Sequence, residues 1–284
     1  MNAAVAQIRL PHGLWVNGAH CRSAGLRALT GADEEFLAES EGTMLPVTRS
    51  RHLLARCLTH LDGAERITPE AIGELTVGDR EALLLHLRQL TFGDRMQAIL
   101  DCPQPECGEL MDLDLQVSDL LQPPCPDPRP EYDYTAEHDG QSLRIRFRLP
   151  TVVDQELAGR QALSDPAAAA DLLLRRCVKS VLNARGEAVD WSGAMLDGLP
   201  ARMAELDPQA EMILDLVCPA CKVSFSTIFD AGHYLFQEAG AGLNRLYHEV
   251  HLLAWHYHWS EPEIMGMRTR KRRRYLNLLL ETLP

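Results

Sequence analysis

The chain has 284 residues and a formal net charge of −12, with 46% hydrophobic and 24% charged residues. That composition is ordinary for a globular protein and excludes a wholly disordered chain, a collagen-like fibre and a small disulfide-stapled scaffold. The negative charge argues against whole-surface binding to nucleic acid or anionic lipid, although residues 241–284 carry a net +3.

The opening MNAAVAQIRLPHG lacks a basic segment followed by an apolar one, so no secretory signal is expected. No stretch approaches the roughly 18–20 apolar residues that span a bilayer. The expected compartment is the cytoplasm, where the eight cysteines stay reduced unless a metal holds them. Ile8–Leu10 and Leu14–Val16 read as short β pieces, and Gly18, Gly25 and Gly31 punctuate the chain after them. Asp33 opens a short helix. Leu53, Leu54, Cys57, Leu58 and Leu61 then fall on one face at helical spacing. Thr68-Pro69 marks another helix start, and Asp79 begins a stronger helix through Leu83, Leu84, Leu87 and Leu90, ended by Gly93.

From Met96 the period changes to two. Met96, Ala98, Leu100 and Cys102, then Met111, Leu113, Leu115 and Val117, predict an antiparallel hairpin with CPQPECGE at its tip. Residues 122–131 carry five prolines and read as a crossing segment. Leu143, Ile145, Phe147 and Leu149, interleaved with arginines, predict a half-buried strand after the Asp139-Gly140 turn. Helices are predicted over 152–163, 166–183 and 199–206. Met212, Leu214 and Leu216 precede CPAC at 218–221, and Val223, Phe225 and Ile228 come after it, giving a second hairpin. The tail from Asp230 is predicted helical. Gly240 and Gly242 interrupt it, and Leu243, Leu246, Tyr247, Val250, Leu253 and Ala254 form an apolar stripe. Ser260-Glu261-Pro262-Glu263 forms a capping box, and a last helix runs from about Thr269 to Glu281.

The strand–cysteine pair–strand order thus occurs twice. Zinc wants four soft ligands in a tetrahedron, and a tight hairpin tip aims two sulfurs at one point. Two tips facing each other, with Cys102, Cys107, Cys218 and Cys221, complete a closed structural zinc site. A redox reading of CPAC needs a helix after it, whereas KVSFSTIF continues as a strand. Cys57 and Cys177 lie on apolar helix faces and read as core, and Cys21 and Cys125 are solitary.

In the tail, HEVH at 248–251 is not the HExxH zinc motif, and His248, His251, His256 and His258 read as polar partners on a packed helix. Trp255, Tyr257 and Trp259 beside Arg270, Arg272, Arg273 and Arg274 have the composition of a protein-interface anchor, and equally that of a small helical core. Walker A, GxSxG and kinase motifs are all missing, and no paired carboxylates stand out, so no enzyme and no small-molecule substrate is expected. The expected fold is α+β: helices around small antiparallel sheets, a zinc-ribbon-like centre and a helical tail. The expected domains are 1–74, a zinc-centred 75–230 with strand and helices 132–206 inserted, and 231–284.

Residues 75–115, through Gly78, Asp79, Arg80, Cys102, Pro103, Cys107 and Gly108, resemble the core of the baseplate hub assembly chaperones of T-even-like contractile-tail phages and related injection systems. CPAC looks like the second knuckle of such proteins. The first knuckle departs in being C-x4-C rather than C-x2-C. Residues 246–281 resemble short helical proteins encoded among phage-tail-like genes. The resemblance implies a non-enzymatic assembly factor, with structural Zn2+, acting on baseplate, hub or spike proteins in the cytoplasm of the producing bacterial cell. A permanent baseplate subunit, a zinc-ribbon nucleic-acid binder using 268–274, and a zinc or thiol enzyme are the alternatives to it.

Overall fold

The computed structural model describes residues 5–240 and 243–282, apart from the Leu243 side chain. The expected interruption at Gly242 and the Leu243 end of the tail stripe lie outside the described residues. β1 (Ala6–Val16) and β2 (Ala19–Leu26) form a hairpin, followed by α1 (Gly31–Glu39), α2 (Pro46–Cys57) and β3 (Leu58–Leu61), which pairs back onto β2. Then come α3 (Pro69–Gly73), α4 (Val77–Phe92), the hairpin β4 (Arg95–Asp101) and β5 (Leu110–Gln116), and α5 (Val117–Leu120). After the proline-rich crossing the order repeats: β6 (Tyr132–His138), β7 (Gln141–Phe147), α6 (Val152–Ala162), α7 (Pro166–Cys177) and β8 (Val178–Leu182). α8 (Leu199–Leu206), the hairpin β9 (Met212–Val217) and β10 (Ser224–Phe229), and α9 (Ala231–Gly240) complete this second unit. The tail is α10 (Leu243–Tyr257), α11 (Glu261–Met265) and α12 (Thr269–Thr282). The architecture is α+β, with small antiparallel sheets and a helical C-terminal region.

The two units repeat in detail. Asn17-Gly18 and Asp139-Gly140 close their first hairpins, each residue at positive φ, as the tight two-residue turn requires. Thr30 and Thr151 cap α1 and α6, each in a reciprocal capping box with an aspartate at the third helical position. Those aspartates, Asp33 and Asp154, are fully buried, and each is gripped by two arginines. Arg27 and Arg56 hold Asp33 at 2.6 and 3.0 Å; Arg148 and Arg176 hold Asp154. The Arg27 amide donates to the Cys57 carbonyl and the Arg148 amide to the Cys177 carbonyl, both at 3.0 Å.

Two chain segments differ from the periodicity. Leu58 and Leu61 continue the apolar face of α2, and Val181 and Leu182 that of α7, yet both helices stop at a cysteine and the chain continues as strand. The next residue, Leu58 or Val178, is extended, and its unit's middle strand offers an unpaired edge that β3 or β8 fills. A short apolar run fits either period, and the tertiary edge decides. The N-terminal β pieces are likewise one strand, bulged between Arg9 and Leu14.

The bulge joins the units. The His12 and Gly13 amides donate to Asp79 at 2.8 and 2.9 Å, and the His12 ring lies 3.5 Å from Asp207 at the end of α8. Burial pushes the Asp79 carboxyl up to about 6 despite these amides. The Gly78 amide donates to Asp207 at 3.0 Å, and a Cβ on Gly78 would lie 1.8 Å from that carboxylate. Gly78→Ala should therefore pry α8 from α4, costing about 1–3 kcal/mol as an overpacked site. Thermal melting followed by circular dichroism checks this; an unchanged midpoint would contradict the packing.

A main core gathers Leu10, Leu26 and Leu53 of the first unit, Leu83 and Leu87 of α4, and Leu235 of α9. It also takes the bases of both cysteine hairpins through Met96, Met212 and Phe229. A second core around Ile145, Phe147, Cys177 and Leu199 belongs to the second unit. The tail has its own, from Leu246, Val250, Leu253, Ile264 and Met265.

Candidate metal centre

Each cysteine pair sits where alternation places it, at the tip of a two-stranded ladder. β4 and β5 pair from Arg95↔Gln116 to Asp101↔Leu110, and Cys102 comes directly after. β9 and β10 pair from Met212↔Phe229 to Val217↔Ser224, and Cys218 comes directly after. The Cys102 amide donates to the Glu109 carbonyl at 2.9 Å and the Cys218 amide to the Val223 carbonyl at 3.0 Å, closing each tip. The residue after the second cysteine is left-handed in both, Gly108 at φ 63° and Lys222 at φ 64°. Glycine takes that conformation without strain; the lysine there is steadied by its Nζ, which donates to the Pro219 carbonyl at 2.7 Å.

The two tips meet. All four Sγ atoms lie within 4.8 Å of one another, with Cys102–Cys221 and Cys107–Cys218 each at 3.7 Å. These contacts are far too long for disulfides, and all four cysteines are free. A tetrahedron with Zn–S near 2.3 Å has sulfur–sulfur edges of roughly 3.8 Å, so the two 3.7 Å separations match its scale. Backbone amides of Gln104, Glu109, and Ala220 with Cys221 favour the thiolates of Cys102, Cys107 and Cys218 respectively, but burial and the neighbouring sulfurs outweigh them at Cys102, pushed up to about 12, and at Cys107, also raised. The Cys221 amide, with that of Ala220, brings the Cys218 thiol down to about 7, so in the metal-free cluster Cys218 is the sulfur that gives up its proton first. Leu100, Met111 and Phe225 pack beside the sulfurs, and Cys102 and Cys218 are buried. The longer C-x4-C loop therefore brings its sulfurs to the same point as the C-x2-C loop. The cluster can hold one metal ion with four sulfurs, and it ties the first unit's hairpin to the second unit's.

The remaining cysteines stand apart. Cys57 and Cys177 are fully buried, and burial pushes the Cys177 thiol up to about 12. Cys21 and Cys125 are half-buried; the Cys125 amide donates to the Pro11 carbonyl at 3.1 Å.

A family model described as T4 bacteriophage base plate protein matches residues 24–235. The chain belongs to that family. No curated protein and no solved structure matches it. The match begins near the end of β2, so it leaves out β1; it takes in the rest of both units of this baseplate-family chain and all four clustered cysteines, and it ends inside α9, before the tail.

Within the tail, the aromatic and arginine residues divide. Trp255 is 70% exposed and stacks on His251, while Tyr257 and Trp259 stack at 4.7 Å and meet Tyr275 edge-on. Arg270 and Arg274 are exposed. Arg273 is half-buried, its guanidinium 3.9 Å from Glu249. Arg272 is 1% exposed, held by Glu249 at 2.7 Å and Glu34 at 3.0 Å, so it is spent inside the chain. His248, His251, His256 and His258 are all exposed.

The buried networks around Asp33, Asp154 and Asp79 escaped the sequence reading. A capping-box signal was present at Thr30–Asp33 and Thr151–Asp154, but their arginine partners lie up to 23 residues away along the chain.

Proposed function

We propose that this baseplate-family protein is a non-enzymatic assembly factor, a baseplate or hub chaperone of a contractile phage tail or phage-tail-like injection system. The match over residues 24–235 carries the reading. Cys102, Cys107, Cys218 and Cys221 would hold a structural Zn2+, for which the donor set and its spacing are suited. Four thiolates fill the coordination shell, so the ion's chemistry there is cross-linking: its binding free energy becomes folding free energy. The partners would be baseplate, hub or spike subunits.

Trp255, with Arg270 and Arg274, is the surface proposed to touch them. Aromatic and arginine side chains dominate interface hot spots. Trp255→Ala should weaken capture of the baseplate partner by about 30-fold, since a hot-spot truncation costs about 2 kcal/mol. Because Trp255 is exposed, the melting temperature should not move. Co-purification from a cell assembling the particle tests this, and equal recovery with wild type would remove the tail from the interface. A permanent structural subunit is the second reading. Mass spectrometry of finished particles separates the two: an assembly factor is found in the lysate and is missing from the particle.

No helix among the described residues is long and apolar enough to cross a membrane.

A further inference from the structure

Two helix pairs in this chain are built to one pattern and dock in one way. In the first, Thr68 caps α3 with Pro69 in its first turn, and Ile72 is buried. The Leu75 amide then donates to the Ile72 carbonyl at 3.2 Å, and extended Thr76 leads into α4. In the second, Ser260 caps α11 with Pro262 in its first turn, and Ile264 is buried. The Met267 amide donates to the Ile264 carbonyl at 3.0 Å, and Arg268 leads into α12.

The receiving sites also correspond. Thr76 forms an antiparallel bridge with Thr151, the cap of α6; Arg268 forms one with Thr30, the cap of α1. The Val152 amide donates to the Leu75 carbonyl at 2.9 Å and the Gly31 amide to the Met267 carbonyl at 3.3 Å. One turn into the second helix an arginine reaches the residue after the capping aspartate: Arg80 to Gln155, Arg272 to Glu34. The charges differ in a way that sets specificity. Arg80 is neutralised by its own neighbour Glu81 and meets a neutral amide in its site. Arg272 takes one carboxylate from its own module, Glu249, and needs the second, Glu34, from the site. A buried arginine without that partner is strongly disfavoured.

We propose that the N-terminus of α1, around Thr30 and Glu34, is a docking site for a helix pair of this pattern, and that residues 243–282 are a separable binding module that recognises it. The tail's apolar core is its own, with Ala32 the residue it draws from the body, and Tyr247 adds a 2.8 Å hydrogen bond to Glu35. The partner the site fits is a short capped helix with a buried isoleucine, an extended residue, and a helix carrying arginine one turn in. In this chain that partner is tethered, which raises its effective concentration without any new contact.

The test cuts the tether in the folded, full-length protein. A protease recognition sequence is placed between Gly240 and Leu243, the chain is cleaved under native conditions, and the pieces are run on a sizing column. The tail piece should co-elute with the body in equal amounts. With Glu34→Gln it should dissociate at least tenfold more readily, and with Arg272→Glu it should separate fully, the body keeping the elution volume of a folded protein. Should Arg272→Glu fail to fold, Arg272→Lys, which keeps the charge and loses the fork, should still give measurable release. Separation of the wild-type pieces, or equal retention in all variants, overturns the proposal. No phage component enters the experiment, so its outcome is independent of the baseplate reading.

Discussion

Serine at both Cys218 and Cys221 should abolish metal binding and detach the two cysteine hairpins from each other. A two-stranded hairpin is marginal by itself in water, and β4–β5 and β9–β10 are each only two strands wide. Their bases are anchored in the main core, but near the tips, among the described residues, Leu100, Met111 and Phe225 are the apolar side chains that pack around the sulfurs. Ile99, Leu110, Ile213, Val217 and Ile228 face outward and contribute nothing to holding the tips together. Structural zinc in small peptides contributes about 10–16 kcal/mol of apparent binding free energy at pH 7. Here β1–β3 sit on the main core, which is also built from α4 and α9 and does not depend on the hairpin tips, so the loss should be regional. Amide exchange in 95–116 and 212–229 should accelerate by orders of magnitude, while β1–β3 stays protected. Full protection of both hairpins in the double variant would show that sulfur ligation does not hold them.

Asp154→Asn should cost about 2–3 kcal/mol, because it removes the buried counter-charge shared by two arginines that keep only part of their contact with water. Asp154 is fully buried and accepts from the Thr151 amide and hydroxyl as well as from Arg148 and Arg176. Burial works to raise its pKa, and the Arg148 pair and the Thr151 amide overcome that, holding the carboxyl near 2. The folded value lies below the ordinary carboxylate value of 3.8. Its contribution is therefore fully present above about pH 4 and is lost as pH falls towards about 2. Asp33 is lowered in the same direction by Arg27. Acid titration of stability in wild type should steepen over that window, and the asparagine variant should lack part of the slope. Metal content should be unchanged at neutral pH, since the hairpins lie outside this network. A variant with wild-type acid sensitivity would contradict the assignment.

The cysteine centre was legible because two independent signals coincide there: period-two alternation places the strands, and the cysteine spacing marks the tips. The helical tail and the caps at Thr68 and Ser260 were legible for similar reasons. The duplication was not. Its two copies share few residue types, and these are scattered: Gly18 and Gly140, Thr30 and Thr151, Asp33 and Asp154 with their arginines Arg27 and Arg148, Arg56 and Arg176, and Cys57 and Cys177 among them. Between these points the cores differ, with Leu26 standing where Phe147 stands, and a core tolerates such exchange if volume is made up elsewhere. Arg272 was hidden inside a run of five basic residues. A signal did exist: Thr269, Arg272, Leu276 and Leu279 fall on one helical face, and Thr269, Arg272 and Leu279 are buried.

X-ray absorption at the zinc edge on the purified full-length chain tests the tetrathiolate centre most directly. One zinc per chain with four sulfur neighbours at about 2.3 Å is the expected result. Zinc with nitrogen or oxygen in its first shell, or a chain that purifies folded with four free thiols and no metal, would contradict it.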